Sequence, residues 1–189
     1  KLINKASNLA KANNLPCVVL SFEPHPNNLF KIQEEAFRLT PLRSKAHELD
    51  KLGLDALIIL KFNKAFAQIP AKNFVLDVLV NGLKAKHIVA GYDFVFGHNR
   101  GGNCDLLFKL GNVHGFNFTA VNQVKNSINE VYSSTSIRKL IKLGDLSKAR
   151  DMLGRDFSIL GRVAHGKKLG RNLGFPTANV HLSNSIRPK

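Results

Sequence analysis

Lys86-His-Ile-Val-Ala-Gly-Tyr-Asp-Phe-Val-Phe-Gly-His-Asn-Arg-Gly-Gly102 is the stretch from which the rest of the chain is read. Its first five residues form a short apolar run that predicts a buried strand, ending where Gly91 begins the turn. In an open parallel sheet, ligands sit just beyond the carboxyl ends of the strands. Gly91, Gly97, Gly101 and Gly102 permit close backbone approach and positive-φ turns. Asp93, His98, Asn99 and Arg100 add polar reach, while Tyr92, Phe94 and Phe96 add flat apolar faces. Such a loop suits an aromatic ligand that carries phosphate. The same composition also suits a glycine-rich turn whose aromatics fill the core.

Around this stretch, strand and helix patterns alternate. Lys1–Asn13 has helical spacing, and Cys17–Phe22 is a β-branched apolar run that predicts a strand. Pro41–Leu52 predicts a helix with Thr40 as N-cap and Gly53 at its end. Asp55–Leu60 predicts the next strand, followed by an irregular segment whose Phe62, Phe66 and Ile69 belong in the core. Ala71–Leu83 predicts a helix with Phe74, Val75, Val78 and Leu79 on one face. After the glycine loop, a weaker helix is expected over 105–114 and a strand over 116–121, then loop or edge strand over 123–131. Short alternating units of this kind predict a parallel sheet with right-handed crossovers, a three-layer α/β fold.

Two further stretches carry polar chemistry. Glu23-Pro-His-Pro26 follows the first predicted strand, and its two prolines hold His25 in an extended segment. His25 is either aimed at a phosphate-bearing ligand or solvated on a rigid turn. Ser133-Ser-Thr-Ser-Ile-Arg138 precedes an apolar-periodic run and predicts a helix N-terminus, capped by Ser134 or Thr135. The free N–H groups and dipole there favour an anion, and Arg138 in the first turn can fork a phosphate. A short helix over 145–153, capped at Gly144-Asp145, ends at Gly154.

From Phe157 the texture changes. Phe157–His165 alternates as a strand does, and Gly161, Gly166, Gly170 and Gly174 recur among Arg162, Lys167, Lys168 and Arg171. Glycine with Lys/Arg can cradle phosphates, although a plain hairpin region fits too. Gly174-Phe-Pro-Thr-Ala-Asn179 leads into Val180-His-Leu, the start of an all-β unit.

Composition sets the outer limits. With 189 residues, 44% of them hydrophobic, the chain can bury a real core. No apolar run is long enough for a membrane span or reads as a signal peptide. Two cysteines are too few for a disulfide framework, and a reducing cytoplasm is expected. The formal charge is +15, and residues 133–189 hold twelve Lys/Arg against three Asp/Glu. That balance favours anionic partners, but the absence of a long Lys/Arg run argues against a nucleic-acid tail. The first residues show helical spacing with no capping residue before Leu2, as in an internal fragment.

Taken together, these motifs resemble the prokaryotic bifunctional riboflavin kinase/FMN adenylyltransferase (FAD synthetase) family. The resemblance rests on Phe22-Glu-Pro-His-Pro26, Gly91-Tyr-Asp-Phe-Val-Phe-Gly97, Ser133-Ser-Thr-Ser-Ile-Arg138, Leu153-Gly-Arg155, Gly161-Arg-Val-Ala-His-Gly166 and Gly170-Arg-Asn-Leu-Gly-Phe-Pro-Thr-Ala-Asn179. Each is weak alone; six in family order across the whole chain are specific. The resemblance implies a Rossmann-like nucleotidylyltransferase domain over 1–154 and the truncated start of a riboflavin kinase β-barrel over 155–189.

It also implies chemistry. The first domain would transfer AMP from ATP to FMN, giving FAD and pyrophosphate, and the second would phosphorylate riboflavin with ATP and Mg²⁺. By family match, His25, Ser134, Thr135 and Arg138 serve the nucleotide phosphates. Gly91, Asp93, Phe94 and Arg100 belong to the flavin and nucleotide loop, although the counterpart of Asp93 is often asparagine. Gly166, Lys168 and Gly170 would border phosphates in the kinase part, with Thr177 and Asn179 as Mg²⁺ ligands. The family's Gly-x-Phe-Asp-Gly-x-His-x-Gly-His motif and its catalytic glutamate do not occur in residues 1–189. No catalytic residue is therefore assigned, and the 189-residue chain alone is expected to turn over neither flavin. Its β segment is expected to be too short to fold alone. The implied partners are small molecules (ATP, riboflavin and FMN), with neither nucleic acid nor membrane. Three other readings compete: a nucleotidylyltransferase acting on another substrate, a basic nucleic-acid-binding protein, and a flavin carrier without chemistry. The Pro-Thr-Ala-Asn segment argues against the first.

Overall fold

The computed structural model describes residues 1–30, 37–124, 131–164, 174–175, 177–181 and 186–188. By packing, the chain divides into one unit of Lys1–Gln33 with Leu49–Lys125 and another of Glu34–Glu48 with Asn126–Lys189.

The first unit is α/β. Helix α1 (Leu2–Ala12) leads to strand β1 (Val18–Glu23) and the short helix α2 (Pro26–Phe30). Helix α3 (Leu42–Asp50), whose residues up to Glu48 belong to the second unit, precedes β2 (Ala56–Lys61), which pairs with β1 in parallel, Val18 opposite Ala56 through Glu23 opposite Lys61. Then come α4 (Lys64–Ala67) and α5 (Ala71–Asn73), which continues as a π-helix over Phe74–Gly82. Strand β3 (His87–Gly91), helix α6 (Cys104–His114) and strand β4 (Asn117–Val121) follow, with β3 and β4 parallel from His87 opposite Asn117.

The expected single parallel sheet is, among the described residues, two parallel pairs. An apolar cavity of about 480 Å³ is lined by α1, β1 and β3, with Phe74 and Leu79. Ladder hydrogen bonds need strands roughly 4.8 Å apart, and β1 and β3 form none with each other.

The core of this unit gathers Ala71, Phe74, Val75, Leu79, Phe96, Leu107, Leu110 and Phe116, with Leu20, Phe22 and Phe66 packed against it. Five phenylalanines form a chain of ring contacts from Phe62 and Phe22 through Phe66 and Phe74 to Phe96, with centroids 5.6–6.3 Å apart. The apolar face expected over 71–83 is present, but the backbone bonds there run to the fifth residue back, as in Leu83 N–H to Val78 O at 2.9 Å. The segment expected to be irregular contains α4, whose N-cap Asn63 side chain accepts from the Phe66 amide at 2.8 Å.

The second unit is built on α7 (Ser134–Leu143) and α8 (Leu146–Leu153), each closed by a left-handed glycine, Gly144 and Gly154. Ile137, Ile141, Ala149 and Ile186 form its core, with Leu39, Leu140, Met152, Leu153 and Phe157 around them. Strand β5 (Arg162–Ala164) pairs antiparallel with β6 (Asn179–His181). The strand expected from Phe157 is confined to these three residues, and 157–161 is irregular and largely exposed.

Candidate functional site

In the first unit the glycine loop starts where β3 ends, as the sequence predicts. Gly91 still pairs with Val121, and the Tyr92 amide donates to the Val121 carbonyl at 3.0 Å. Phe96 and Gly102 then bridge the loop, each amide donating to the other's carbonyl at 3.1 and 2.9 Å. Two glycines are sterically required. Gly97 has φ of +74°, and a Cβ there would lie 2.4 Å from the Ala71 Cα; one on Gly102 would lie 2.5 Å from the Phe96 ring. Asn99 and Arg100 both take the left-handed conformation, with φ of 51° and 57°. Such strain in non-glycine residues is held only where surrounding structure over-determines it. Here the bridge and the His98 amide, which donates to the Ile69 carbonyl at 2.8 Å, supply the restraint.

The two uses foreseen for the loop are divided among its residues. Phe96, 8% exposed, belongs to the core and offers no face to a ligand. Phe94 stacks on it at 5.4 Å, half-buried. Tyr92, Asp93, His98, Asn99 and Arg100 are exposed. Asp93 folds back over the turn, its Oδ1 2.9 Å from where a Gly91 Cβ would stand. The Cys104 thiol at the start of α6 lies 3.3 Å from the Tyr92 carbonyl and ties the helix to the loop. Asn103 caps that helix, its side chain accepting from the Leu106 amide at 3.0 Å.

His25 stands just past the carboxyl end of β1. The expected extended segment stops at Pro26, which opens α2; a proline is suited to a first helical position because its missing N–H has no helical partner there. The His25 Nδ1 accepts from the Asn27 amide at 3.2 Å, so a neutral ring carries its proton on Nε2. In the same unit, burial first and the Lys5 ammonium second hold the His87 imidazole below its ordinary value, while its Nε2 meets the Thr119 hydroxyl at 2.8 Å. Burial, then the Asp55 carboxylate, push the Cys17 thiol up. At 7% exposure the residue is a core group.

In the second unit the predicted helix N-terminus is present, but the cap is Ser133. Its Oγ accepts from the Ser136 amide at 3.1 Å. Ser134 and Thr135 lie inside the first turn, where their own N–H groups are among those a helix leaves unpaired. Arg138 is turned onto the segment before α3: its Nε donates to the Phe37 carbonyl at 2.7 Å, and its guanidinium lies over the Phe37 ring at 5.6 Å. Arg155 holds the same segment, donating to the Thr40 hydroxyl at 3.0 Å and lying 3.7 Å from Glu48. Sequence reasoning missed Phe37, Thr40 and Arg155 as partners, since nothing local signals a contact between residues 101 or 115 positions apart. Asp145 caps α8 by accepting from the Lys148 amide at 3.2 Å. That bond first, with the Lys148 ammonium, holds its carboxyl below the ordinary range.

Thr177 and Asn179 are exposed, and Asn179 opens β6 opposite Ala164. Gly166, Lys168 and Gly170 lie outside the described residues. Among the described residues no three His, Cys, Asp or Glu side chains cluster as metal ligands, and no helix is long and apolar enough to cross a membrane. The described site residues fall into two sets: His25, Gly91, Asp93, Phe94 and Arg100 in the first unit, and Ser134, Thr135, Arg138, Thr177 and Asn179 in the second.

The family model for FAD synthetase matches residues 1–136. The chain belongs to the FAD synthetase family. A second family model, for riboflavin kinase, matches 153–189. A Buchnera aphidicola protein from the strain of Acyrthosiphon pisum, named bifunctional riboflavin kinase/FMN adenylyltransferase, is 39% identical over 98% of this chain and 59% of its own length. The Escherichia coli K12 protein of the same name is 40% identical over 94% of this chain and 56% of its own. That of Bacillus subtilis is 36% identical over 98% and 58%. The chain thus spans just under three-fifths of the length of these relatives. A crystal structure from Streptococcus pneumoniae, described as a macrolide-efflux protein, superposes with a TM-score of 0.81 at 28% identity, covering 99% of this chain and 60% of that one. In this FAD synthetase family member, Ser134 and Thr135 lie within the first match and Arg138 just beyond it, while Gly166, Lys168, Gly170, Thr177 and Asn179 lie within the second.

Proposed function

We propose that the whole protein makes FAD from riboflavin in two ATP-dependent steps: phosphorylation of riboflavin to FMN, then adenylyl transfer to FMN. The observation that carries this reading is the tandem match, FAD synthetase then riboflavin kinase, along one chain. A nucleotidylyltransferase acting on another substrate would not account for the second match. The efflux description belongs to the pneumococcal protein, and the site residues give no reason to transfer it.

In the adenylyl step an FMN phosphate oxygen attacks the α-phosphorus of ATP, and the bond from that phosphorus to the bridging oxygen breaks to release pyrophosphate. The protein's task is to align the reactants and offset charge. The exposed edge of the Gly91 loop, with Asp93 and Arg100, is where we place the flavin nucleotide, with Phe94 as the half-buried wall. The Ser134 and Thr135 amides face an anion with the helix dipole behind them. We assign Arg138, its Nε held by the Phe37 carbonyl, and His25 to the nucleotide phosphates as well. We set the domain boundary at Gly154, with a Rossmann-like nucleotidylyltransferase fold before it and the first strands of a kinase β-barrel after it.

In the kinase step the riboflavin hydroxyl attacks the γ-phosphorus and ADP leaves. Thr177 and Asn179 supply a hydroxyl and an amide oxygen, the hard donors that Mg²⁺ accepts alongside phosphate oxygens and water. Mg²⁺ offsets phosphate charge when bound. We assign Gly166, Lys168 and Gly170 to the phosphates of this step. The substrates are small molecules, and we place the enzyme in the cytoplasm, without nucleic-acid or membrane partners.

Two variants of the whole protein test the division of labour. Arg138→Ala should impair FAD formation, with a raised KM for ATP, and largely spare FMN formation; Asn179→Ala should do the reverse. Equal loss of both steps in Arg138→Ala, or normal FMN formation by Asn179→Ala, would remove the corresponding assignment.

A further inference from the structure

The riboflavin-kinase match and the helix assigned to adenylyl transfer share one small core. Among the described residues after Phe157, Ile186 alone is buried, at 1% exposure; the described residues of 158–164 and 174–180 are all exposed. Ile186 packs with Ile137 and Ile141 of α7 and Ala149 of α8, and its amide donates to the Arg38 carbonyl at 3.0 Å. The residue therefore touches both the helix that begins at Ser134 and the strip that begins at Phe37, which Arg138 and Arg155 also hold.

The helix needs this cover. α7 is ten residues long, shorter than the roughly 12–15 at which an isolated helix becomes even marginally stable in water. Its order comes from burying Ile137 and Ile141; among the described residues the fully buried core around them adds Ala149 and Ile186, with Leu39, Met152, Leu153 and Phe157 half-buried against it. Ala149 offers one methyl group, so Ile186 is the larger of the two buried partners.

We propose that Ile186 is a positioning residue: it anchors the kinase-type segment on α7 and sets the order of that helix, and so of its first turn at Ser133–Ser136. The link to adenylyl transfer rests on the functional reading above; the anchoring itself does not. The two chemistries would then be joined by packing as well as by sequence, with the FAD-forming step dependent on a side chain from the FMN-forming segment.

Amide exchange in the whole protein, read by mass spectrometry for peptides covering α7 and α6, tests this. With Ile186→Ala, α7 should exchange on the order of tenfold faster or more, as expected when a large buried side chain is cut to alanine, while α6 in the first unit is unchanged. Val180→Ala, at an exposed position of the same segment, should alter neither. The KM for ATP in FMN adenylylation should rise several-fold with a smaller change in kcat, and Ile186→Val should restore most of both. Unchanged α7 exchange in Ile186→Ala, or equal acceleration of α6 and α7, would overturn the proposal. If Ile186→Ala does not fold, Ile186→Val decides by the same comparison, with a smaller acceleration of α7 and α6 unchanged in support. If the native protein does not adenylylate FMN, the functional reading fails, and the exchange result still decides the anchor.

Discussion

The two units hold their candidate residues by different physical means. In the first, the loop after β3 is set by backbone: a two-bond bridge between Phe96 and Gly102, two glycines that no other residue can replace without collision, and a phenylalanine core beneath. In the second, the start of α7 is set by side chains, through the Ser133 cap, Arg138 on Phe37, and the few apolar groups under the helix. A loop fixed by backbone tolerates change in its exposed side chains but not in its glycines. A helix end fixed by side chains can be loosened one contact at a time.

Core truncation gives the largest effect and asks whether the units are energetically separate. Leu107 and Ile141 are both fully buried, one in each core. Each alanine variant should cost about 3–4 kcal/mol in denaturant unfolding, with faster amide exchange confined to its own unit. Exchange spreading equally through both would erase the distinction.

Next comes Gly97→Ala. The new Cβ meets Ala71 and the residue keeps a positive φ, together about 2–3 kcal/mol. Arg100→Ala, which exchanges one non-glycine residue for another at the same positive φ with its side chain exposed, should lie within roughly 0.5 kcal/mol of the native chain. If Gly97→Ala is as mild as Arg100→Ala in urea melts, backbone does not set the loop. Ser133→Ala should cost about 1 kcal/mol, the usual value of a lost cap. Its exchange should rise in the first turn of α7 and not in α8. A flat result there would mean that Arg138 and the core hold the turn without the cap.

The smallest effect is acid sensitivity of the first unit. His87 has its pKa lowered in the fold by burial and then by Lys5, so the unfolded chain takes up its proton more readily. The stability contributed by the neutral ring is complete above the unfolded value of about 6.5 and is lost as pH falls through it toward the folded value. Native protein should therefore lose more stability than His87→Gln between about pH 7.5 and pH 5.5. Equal losses would show that desolvation of His87 does not matter to the first unit.

Much of this was legible in the sequence where the signal is local. Cys17–Phe22, Asp55–Leu60 and 116–121 announce β1, β2 and β4 by apolar runs, and α7 and α8 follow from hydroxyl or acidic caps and closing glycines. What was not legible depends on distant partners or on hydrogen-bond register. Two prolines around His25 read as extended, yet the second opens a helix. The apolar positions Phe74, Val75, Val78 and Leu79 fall on one face of an α-helix and of a π-helix alike, so only the structure separates them. The parallel pairing was expected, but its division among the described residues into two pairs was not, because each strand is a local property whereas its neighbour is not. Within the glycine loop, composition offered Tyr92, Phe94 and Phe96 alike as ligand faces, and only packing assigns Phe96 to the core. Arg138 was found by its place in a helix's first turn, but its hold on Phe37 has no trace in the local pattern.

The central claim is that one protein carries both flavin-modifying steps. It is tested most directly by incubating the whole protein with riboflavin, ATP and Mg²⁺ and resolving the flavins by chromatography over time. FMN appearing first and FAD following is the predicted result. FMN without FAD would leave the domain of the Gly91 loop without adenylyl transfer, and neither product would contradict the account and point to a nucleotidylyltransferase of another substrate.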